Sequence, residues 1–360
     1  MKSTIIGILL AFCANYQLKA NPFKTDSLTY TKGKITYGAT LSYPQKTGKV
    51  PAIILISGTG PQNRDGEMAK FKFFKEIADY FNSKGVAVLR VDDRGVGKST
   101  GNYFQATTED FAQDVEASLD FLKKQQGIDP KKIGLLGHSE GGAVSFIVAS
   151  RRSDVAFVIS MAGLATKGID ALRKQNADLV ATAKIPEYDK KRYNEINELM
   201  FQTVYDNVQK DSLSLAKAMQ TTYDTWKKKD NEYVASLGIQ PDHDHFRFPI
   251  YSYTMQATGA WYRYHIMFDP ALFLPKVKVP VLALNGDKDL FVSYKENLEN
   301  IERLLKQGGN RDVTTKVITG VNHLFLACQL CTTEEYNKLH KQFPTSVLST
   351  MGDWVLNHTK

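Results

Sequence analysis

The sequence predicts an α/β protein, a doubly wound and mostly parallel sheet carrying an inserted helical cap. Three observations lead to that fold class. Short apolar runs alternate with helix-period segments from Val50 to Met161, as parallel strands joined by crossover helices require. A glycine-rich turn, Gly137-His138-Ser139-Glu140-Gly141-Gly142, separates a strand-like run from a helix-like run of small residues. From about residue 164 to 275, β-branched runs give way to polar helical stretches rich in aromatics, before strand patterning resumes at Val279.

The elements follow in order. Leu28 to Tyr30 and Ile35 to Tyr43 read as antiparallel strands at one sheet edge, with Gly33 between them and Pro44 after the second. Val50 to Ser57 is a near-continuous apolar run suited to a buried parallel strand. A helix pattern follows through Phe71, Phe74, Ile77, Ala78 and Phe81. The alternation continues as strand Val86 to Val91, helix Asp110 to Gln125, strand Lys132 to Leu136, a helix from Glu140, and strand Val155 to Met161. Beyond the cap come strand Val279 to Leu284, helix Lys295 to Leu305, strand Thr314 to Ile318 and a helix from Thr345 to Asn357. The predicted division is residues 21–163 with 276–360 as core, and 164–275 as cap.

Lys2, the apolar run Ile5 to Cys13 and a more polar stretch to Ala20 have the layout of a secretory signal peptide. Residues 1–20 are therefore expected to be removed, and the protein to be periplasmic or secreted without stable membrane insertion. Cys13 raises a lipid anchor, but Phe12 stands where a small residue is needed. The formal charge of +8 falls to about +6 without Lys2 and Lys19. The clusters Lys123-Lys124, Lys131-Lys132, Lys190-Lys191-Arg192 and Lys227-Lys228-Lys229 read as solvated helix ends and faces, so no nucleic-acid partner is expected. At 42% hydrophobic and 23% charged residues, the chain has the composition of a globular protein with a sizeable core.

A strand that enters a sharp turn and leaves as a helix lifts the central side chain to an exposed apex, which makes Ser139 the candidate nucleophile. A serine hydroxyl needs a base, itself oriented by a carboxylate. In a doubly wound sheet those partners lie on loops at the carboxyl ends of later strands. His323, in Gly320-Val321-Asn322-His323 after the strand ending at Ile318, meets that condition. His340 sits in a helical-looking stretch and His358 at the C-terminus. For the acid, Asn285-Gly286-Asp287-Lys288-Asp289 follows a strand, and motif spacing favours Asp289 over Asp287, which suits bracing the turn. The Glu140 amide, at the helix start, is one candidate oxyanion donor. The second comes from Ser57-Gly58-Thr59-Gly60, either the Thr59 amide or that of Gly58.

Together with Ser57-Gly58-Thr59-Gly60-Pro61-Gln62-Asn63-Arg64-Asp65-Gly66, Asp93-Arg94-Gly95-Val96-Gly97-Lys98-Ser99 and Gly-Val-Asn-His-Leu-Phe, these motifs make the chain resemble an α/β-hydrolase of the serine esterase and serine peptidase-like branch. The resemblance covers about residues 28 to 163 and 276 to 358. It implies an acyl-enzyme reaction with a Ser139, His323 and Asp289 triad, no cofactor or metal, and a small carboxylic ester as substrate. The alternatives are an exopeptidase or acyl-peptidase using the same triad, and a non-catalytic binding module on the same fold.

Other signals are weaker. Gly95-Val96-Gly97-Lys98-Ser99-Thr100 resembles the end of a P-loop, but Asp92 occupies the position of its first glycine and would repel phosphate. Cys328 and Cys331 are read as a structural disulfide rather than a redox or zinc site. Asp242-His243-Asp244-His245 reads as a polar cap loop. Among the cap aromatics, Trp261 and Tyr262 are candidates for a substrate pocket, with Arg263 as a grip for a substrate carboxylate.

Overall fold

The computed structural model describes residues 23–238 and 250–360. The expected signal peptide and Asp242-His243-Asp244-His245 lie outside the described residues. Eight strands form the main sheet in the order β1-β2-β6-β3-β7-β8-β9-β10. They are β1 (Lys24–Lys32), β2 (Ile35–Tyr43), β3 (Val50–Ile56), β6 (Ala87–Val91), β7 (Ile128–His138), β8 (Val158–Met161), β9 (Val281–Gly286) and β10 (Val313–Ile318). The two-strand ribbon of β4 (Glu67–Met68) and β5 (Phe71–Lys72) stands apart. Strand β2 pairs antiparallel with both β1 and β6, and every other pairing in the main sheet is parallel.

Strand alternation divides the core into two layers. Ala52, Ile54 and Ile56 of β3 join one apolar cluster, and Ile53 and Leu55 join the other, because successive strand side chains point to opposite faces. Helices α2 (Thr108–Leu122), α3 (Glu140–Ala149) and α9 (Tyr294–Gln307) cover the first face. Helices α1 (Phe73–Ser83) and α10 (Thr345–His358) cover the second. In α1 the buried residues Phe73, Phe74, Ile77, Ala78 and Phe81 repeat at helix spacing, and burying each phenyl ring contributes about 1.5–3 kcal/mol. Strand β3 pairs with β6 on one side and β7 on the other. The chain thus reverses its winding at β3, and a crevice opens at the carboxyl ends of β3 and β7.

Between β8 and β9 the chain forms the helical insertion, α4 (Gly168–Thr182), α5 (Glu187–Asn207), α6 (Ser212–Ser236), α7 (Ile250–Ala257) and α8 (Ala260–Met267). It has its own apolar cluster, including Ile196, Met200, Leu215, Met219 and Trp226. Arg192 departs from the expectation of a solvated cationic run. Its side chain is 1% exposed and pairs with Asp230 on α6 and, at 3.0 Å, with Asp189. The sequence run looked uniformly basic because helical periodicity turns Arg192 inward while Lys190 and Lys191 follow different directions.

Candidate functional site

The Gly137 to Gly142 turn occurs where β7 ends and α3 begins, and it forces an unusual backbone. Ser139 has φ 56° and ψ −121°, a strained conformation for a side-chain-bearing residue. Close packing holds it there. A Cβ on Gly137 would lie 2.0 Å from the Gly141 carbonyl oxygen, and one on Gly141 would lie 2.3 Å from that of Ile56. The Ser139 amide donates to the Met161 carbonyl at 2.9 Å, tying the turn to β8.

The loops after β9 and β10 supply the other two groups. His323 Nδ1 and Asp289 Oδ2 are 2.7 Å apart, and the Asp289 side chain is fully buried. Asp289 Oδ1 accepts from the Phe291 and Val292 amides at 2.8 and 3.0 Å, while Oδ2 also accepts from Asn285 Nδ2 at 3.2 Å. Asp287 has a separate place, accepting the Gly320 amide at 2.7 Å and so bracing the histidine loop. Ser139 and His323 line one cavity, although no hydrogen bond joins their side chains among the described residues. Such bonds are often long in unliganded sites and tighten on substrate binding.

His138, which sequence reasoning passed over, supports this loop from below. It is 2% exposed and its Nε2 donates to the His323 carbonyl at 2.9 Å. Burial pushes its imidazole down to about 3, with the neighbouring His323 and the carbonyl bond as smaller influences, so the ring is neutral. Its only signal in the sequence was adjacency to Ser139.

Thr59 and Glu140 also meet at this point. The Thr59 hydroxyl donates to Glu140 Oε2 at 2.9 Å, and a Cβ on Gly58 would lie 3.0 Å from that of Ser139. The Thr59 and Glu140 amides have no acceptor among the described residues, as donors awaiting a substrate oxygen require. Glu140 itself is 4% exposed, and its carboxyl also accepts from Thr108 at 2.7 Å and from Trp261 Nε1 at 2.8 Å. Burial raises its pKa above the usual carboxylate range, against the opposing effect of these three bonds.

The cavity measures about 350 Å³ and takes its walls from both core and cap, including Leu164, Leu172, Gln175, Trp261, His265 and Phe291. Trp261 lines it. Tyr262 and Arg263 do not, because consecutive helical residues point about 100° apart. Tyr262 is buried in the cap cluster, its hydroxyl 2.8 Å from that of Tyr253. Arg263 is committed to the carbonyls of Val208, Lys210 and Thr258, leaving it no role as a grip at this cavity. One turn beyond Trp261, His265 stacks against the indole with ring centres 4.7 Å apart. The i, i+4 spacing of these two rings was the signal available for it.

Two further sequence signals resolve clearly. Asp92 fills the loop that resembles a P-loop, accepting from the Lys98 amide at 3.1 Å and from the Arg64 guanidinium at 2.5 Å. These bonds outweigh desolvation and hold the Asp92 carboxyl below its ordinary value. The loop's amide already serves a carboxylate, so it offers no phosphate cradle. Cys328 and Cys331 are joined in a disulfide, and the Cys328 amide donates to the Gly320 carbonyl at 3.2 Å, close to the histidine loop.

The sequence profile described as the alpha/beta hydrolase fold matches residues 51–327. The esterase EstD of Thermotoga maritima is 25% identical over 297 residues, covering 82% of this chain and 58% of EstD. The chain thus spans less than two thirds of that relative's length. Among solved structures, the Pyrococcus furiosus esterase Pf2001 superposes with a TM-score of 0.57 at 15% identity, covering 99% of this chain and 97% of the other. Est1E of Butyrivibrio proteoclasticus, solved with ferulic acid, gives 0.52 at 18% identity over 92% of this chain and 99% of the other.

Proposed function

The chain belongs to the alpha/beta hydrolase fold family, and on that premise we propose that it is a serine carboxylesterase acting on small neutral esters. The observation that carries this reading is the 2.7 Å contact between His323 and Asp289 at the cavity that Ser139 also lines. In the proposed reaction, Ser139 attacks the ester carbonyl while His323 Nε2 takes its proton. Asp289 holds the Nδ1 proton and stabilises the resulting imidazolium. The Thr59 and Glu140 amides receive the oxyanion. The proton on His323 then passes to the departing alcohol, and water activated by the same ring releases the acid from the acyl-enzyme.

Cavity size and lining support a small, uncharged substrate. A volume of 350 Å³ lies toward the small end of the roughly 300–1,000 Å³ range of small-molecule sites. Among the described lining residues Glu140 is the one carboxylate, and its oxygens already accept three hydrogen bonds. An aminopeptidase would need a carboxylate available for the substrate ammonium, so the lining favours esters. EstD, Pf2001 and Est1E are consistent relatives by name and fold. The expected leader remains part of the proposal, which places the enzyme in the periplasm or outside the cell.

The test is hydrolysis of p-nitrophenyl esters from acetate to decanoate, beside an aminoacyl anilide, by wild type and Ser139→Ala. Ester turnover that declines toward decanoate and vanishes in Ser139→Ala is expected. Anilide turnover without ester turnover would move the assignment to a peptidase, and a folded protein inert toward all of them would favour the binding-module reading.

A further inference from the structure

The Glu140 side chain links three separate parts of the fold. Thr59 belongs to the loop after β3, Thr108 to the first turn of α2, and Trp261 to α8 of the cap, and each donates one hydrogen bond to this carboxyl. None of these three donors is a cation. Thr108 is a firm anchor, since the capping box between Thr107 and Asp110 fixes the start of α2. Thr59 is less constrained. It is exposed and lies between Gly58 and Gly60, the latter at φ 98°, although the Gly60 amide donates to the Tyr103 hydroxyl at 2.7 Å.

We propose that the Glu140 side chain is a positioning residue that sets the Thr59 oxyanion donor and the Trp261 cavity wall in register with Ser139. This deepens the esterase reading and rests on it. One oxygen, Oε2, holds the core loop through Thr59, whereas Oε1 is shared by Thr108 and Trp261. Seating the cap therefore uses the same carboxyl that fixes the oxyanion loop. Because Glu140 directly follows the nucleophile, the tether moves with the Ser139 turn. Trp261 Nε1 is engaged by Glu140 while its ring stacks on His265, so the indole presents a fixed face to the cavity.

The experiment separates the two arms. Thr59→Val removes the hydroxyl but keeps the backbone amide, and the exposed position tolerates it. Removing an oxyanion donor outright costs about 10²–10³ in kcat, so loosening one should lower kcat on p-nitrophenyl acetate by roughly tenfold. KM should remain within about twofold, and Thr59→Ser should recover most of the loss. Trp261→Phe should raise KM for hexanoate more than it lowers kcat. Thr59→Val with kcat within about twofold of wild type, equal damage from Val and Ser, or a Trp261→Phe loss confined to kcat would overturn the proposal. The tether is read independently of activity through the Trp261 indole N–H resonance, which Glu140→Gln should shift. If wild type hydrolyses no ester but this resonance shifts, the esterase reading has failed and the tether has not; an unmoved resonance overturns the tether itself.

Discussion

Replacing Asp289 by Asn should nearly abolish turnover, and the hydrogen-bond pattern shows why. Asp289 Oδ1 accepts from two backbone amides, Phe291 and Val292, which leaves an asparagine at 289 one workable orientation with its carbonyl oxygen facing them. Its NH2 group then occupies the Oδ2 position, 2.7 Å from His323 Nδ1 and 3.2 Å from the donating Asn285 Nδ2. Two donors are thereby opposed at Asn285. His323 Nδ1 must accept instead of donate, so the neutral ring carries its proton on Nε2 and cannot remove one from Ser139. An enforced wrong tautomer of this kind lowers kcat by about 10⁴, equivalent to about 5 kcal/mol of transition-state stabilisation. Asp287→Asn makes the contrast, because an asparagine oxygen can still accept the Gly320 amide. The assay is kcat and KM on a short p-nitrophenyl ester at fixed pH, with folded content checked by circular dichroism. Comparable losses in the two variants, or an Asp289→Asn rate within about tenfold of wild type, would refute the reasoning.

Two stability predictions accompany it. The Asp93 carboxyl, which accepts from the Ser57 hydroxyl at 2.5 Å and the Gln62 amide at 2.8 Å, is pushed up to about 7, chiefly by burial. A folded pKa above the unfolded value of 3.8 means the folded state binds the proton more tightly. The resulting stability is fully present below 3.8 and is lost as pH rises through about 7. Thermal melts from pH 4 to 8 should therefore show a steeper loss for wild type than for Asp93→Asn, and parallel curves would contradict the assignment. Arg192→Ala should cost about 3–5 kcal/mol in urea unfolding, because it takes a fully buried guanidinium away from the buried Asp230 and Asp189 carboxylates, and Lys227, 3.6 Å from Asp230, is a more exposed counter-charge. A loss below about 1 kcal/mol would show that the pair is effectively solvated.

The centre of the sheet was legible because its strands are buried on both faces. Val50 to Ser57 and Val279 to Leu284 read as apolar runs, and the structure places strands at Val50–Ile56 and Val281–Gly286. Boundaries were harder where burial runs on past the end of a strand. Val155 to Met161 was expected as one strand, yet β8 spans Val158–Met161, with Val155 and Phe157 buried outside it. The turn at Ser139 was legible for a steric reason, since Gly137 and Gly141 sit where side chains would collide with backbone.

The cavity walls were less legible. Leu172 and Gln175 occupy a helix face that periodicity alone cannot assign to cavity or core. Trp261, Tyr262 and Arg263 are adjacent in sequence but diverge around α8, so proximity along the chain misled where helical direction would have separated them. Glu140 attracted notice for its amide alone. A carboxyl one residue past a nucleophile gives no sign of the three partners, 32 to 121 residues away, that bury it.

The most direct test of the central claim is intact-mass analysis of the protein after treatment with a fluorophosphonate, followed by peptide mapping. The account predicts one covalent adduct per chain, located on Ser139, strongly slowed in His323→Ala and absent from Ser139→Ala. A folded wild-type protein that stays unmodified, or carries its adduct on another residue, would contradict it.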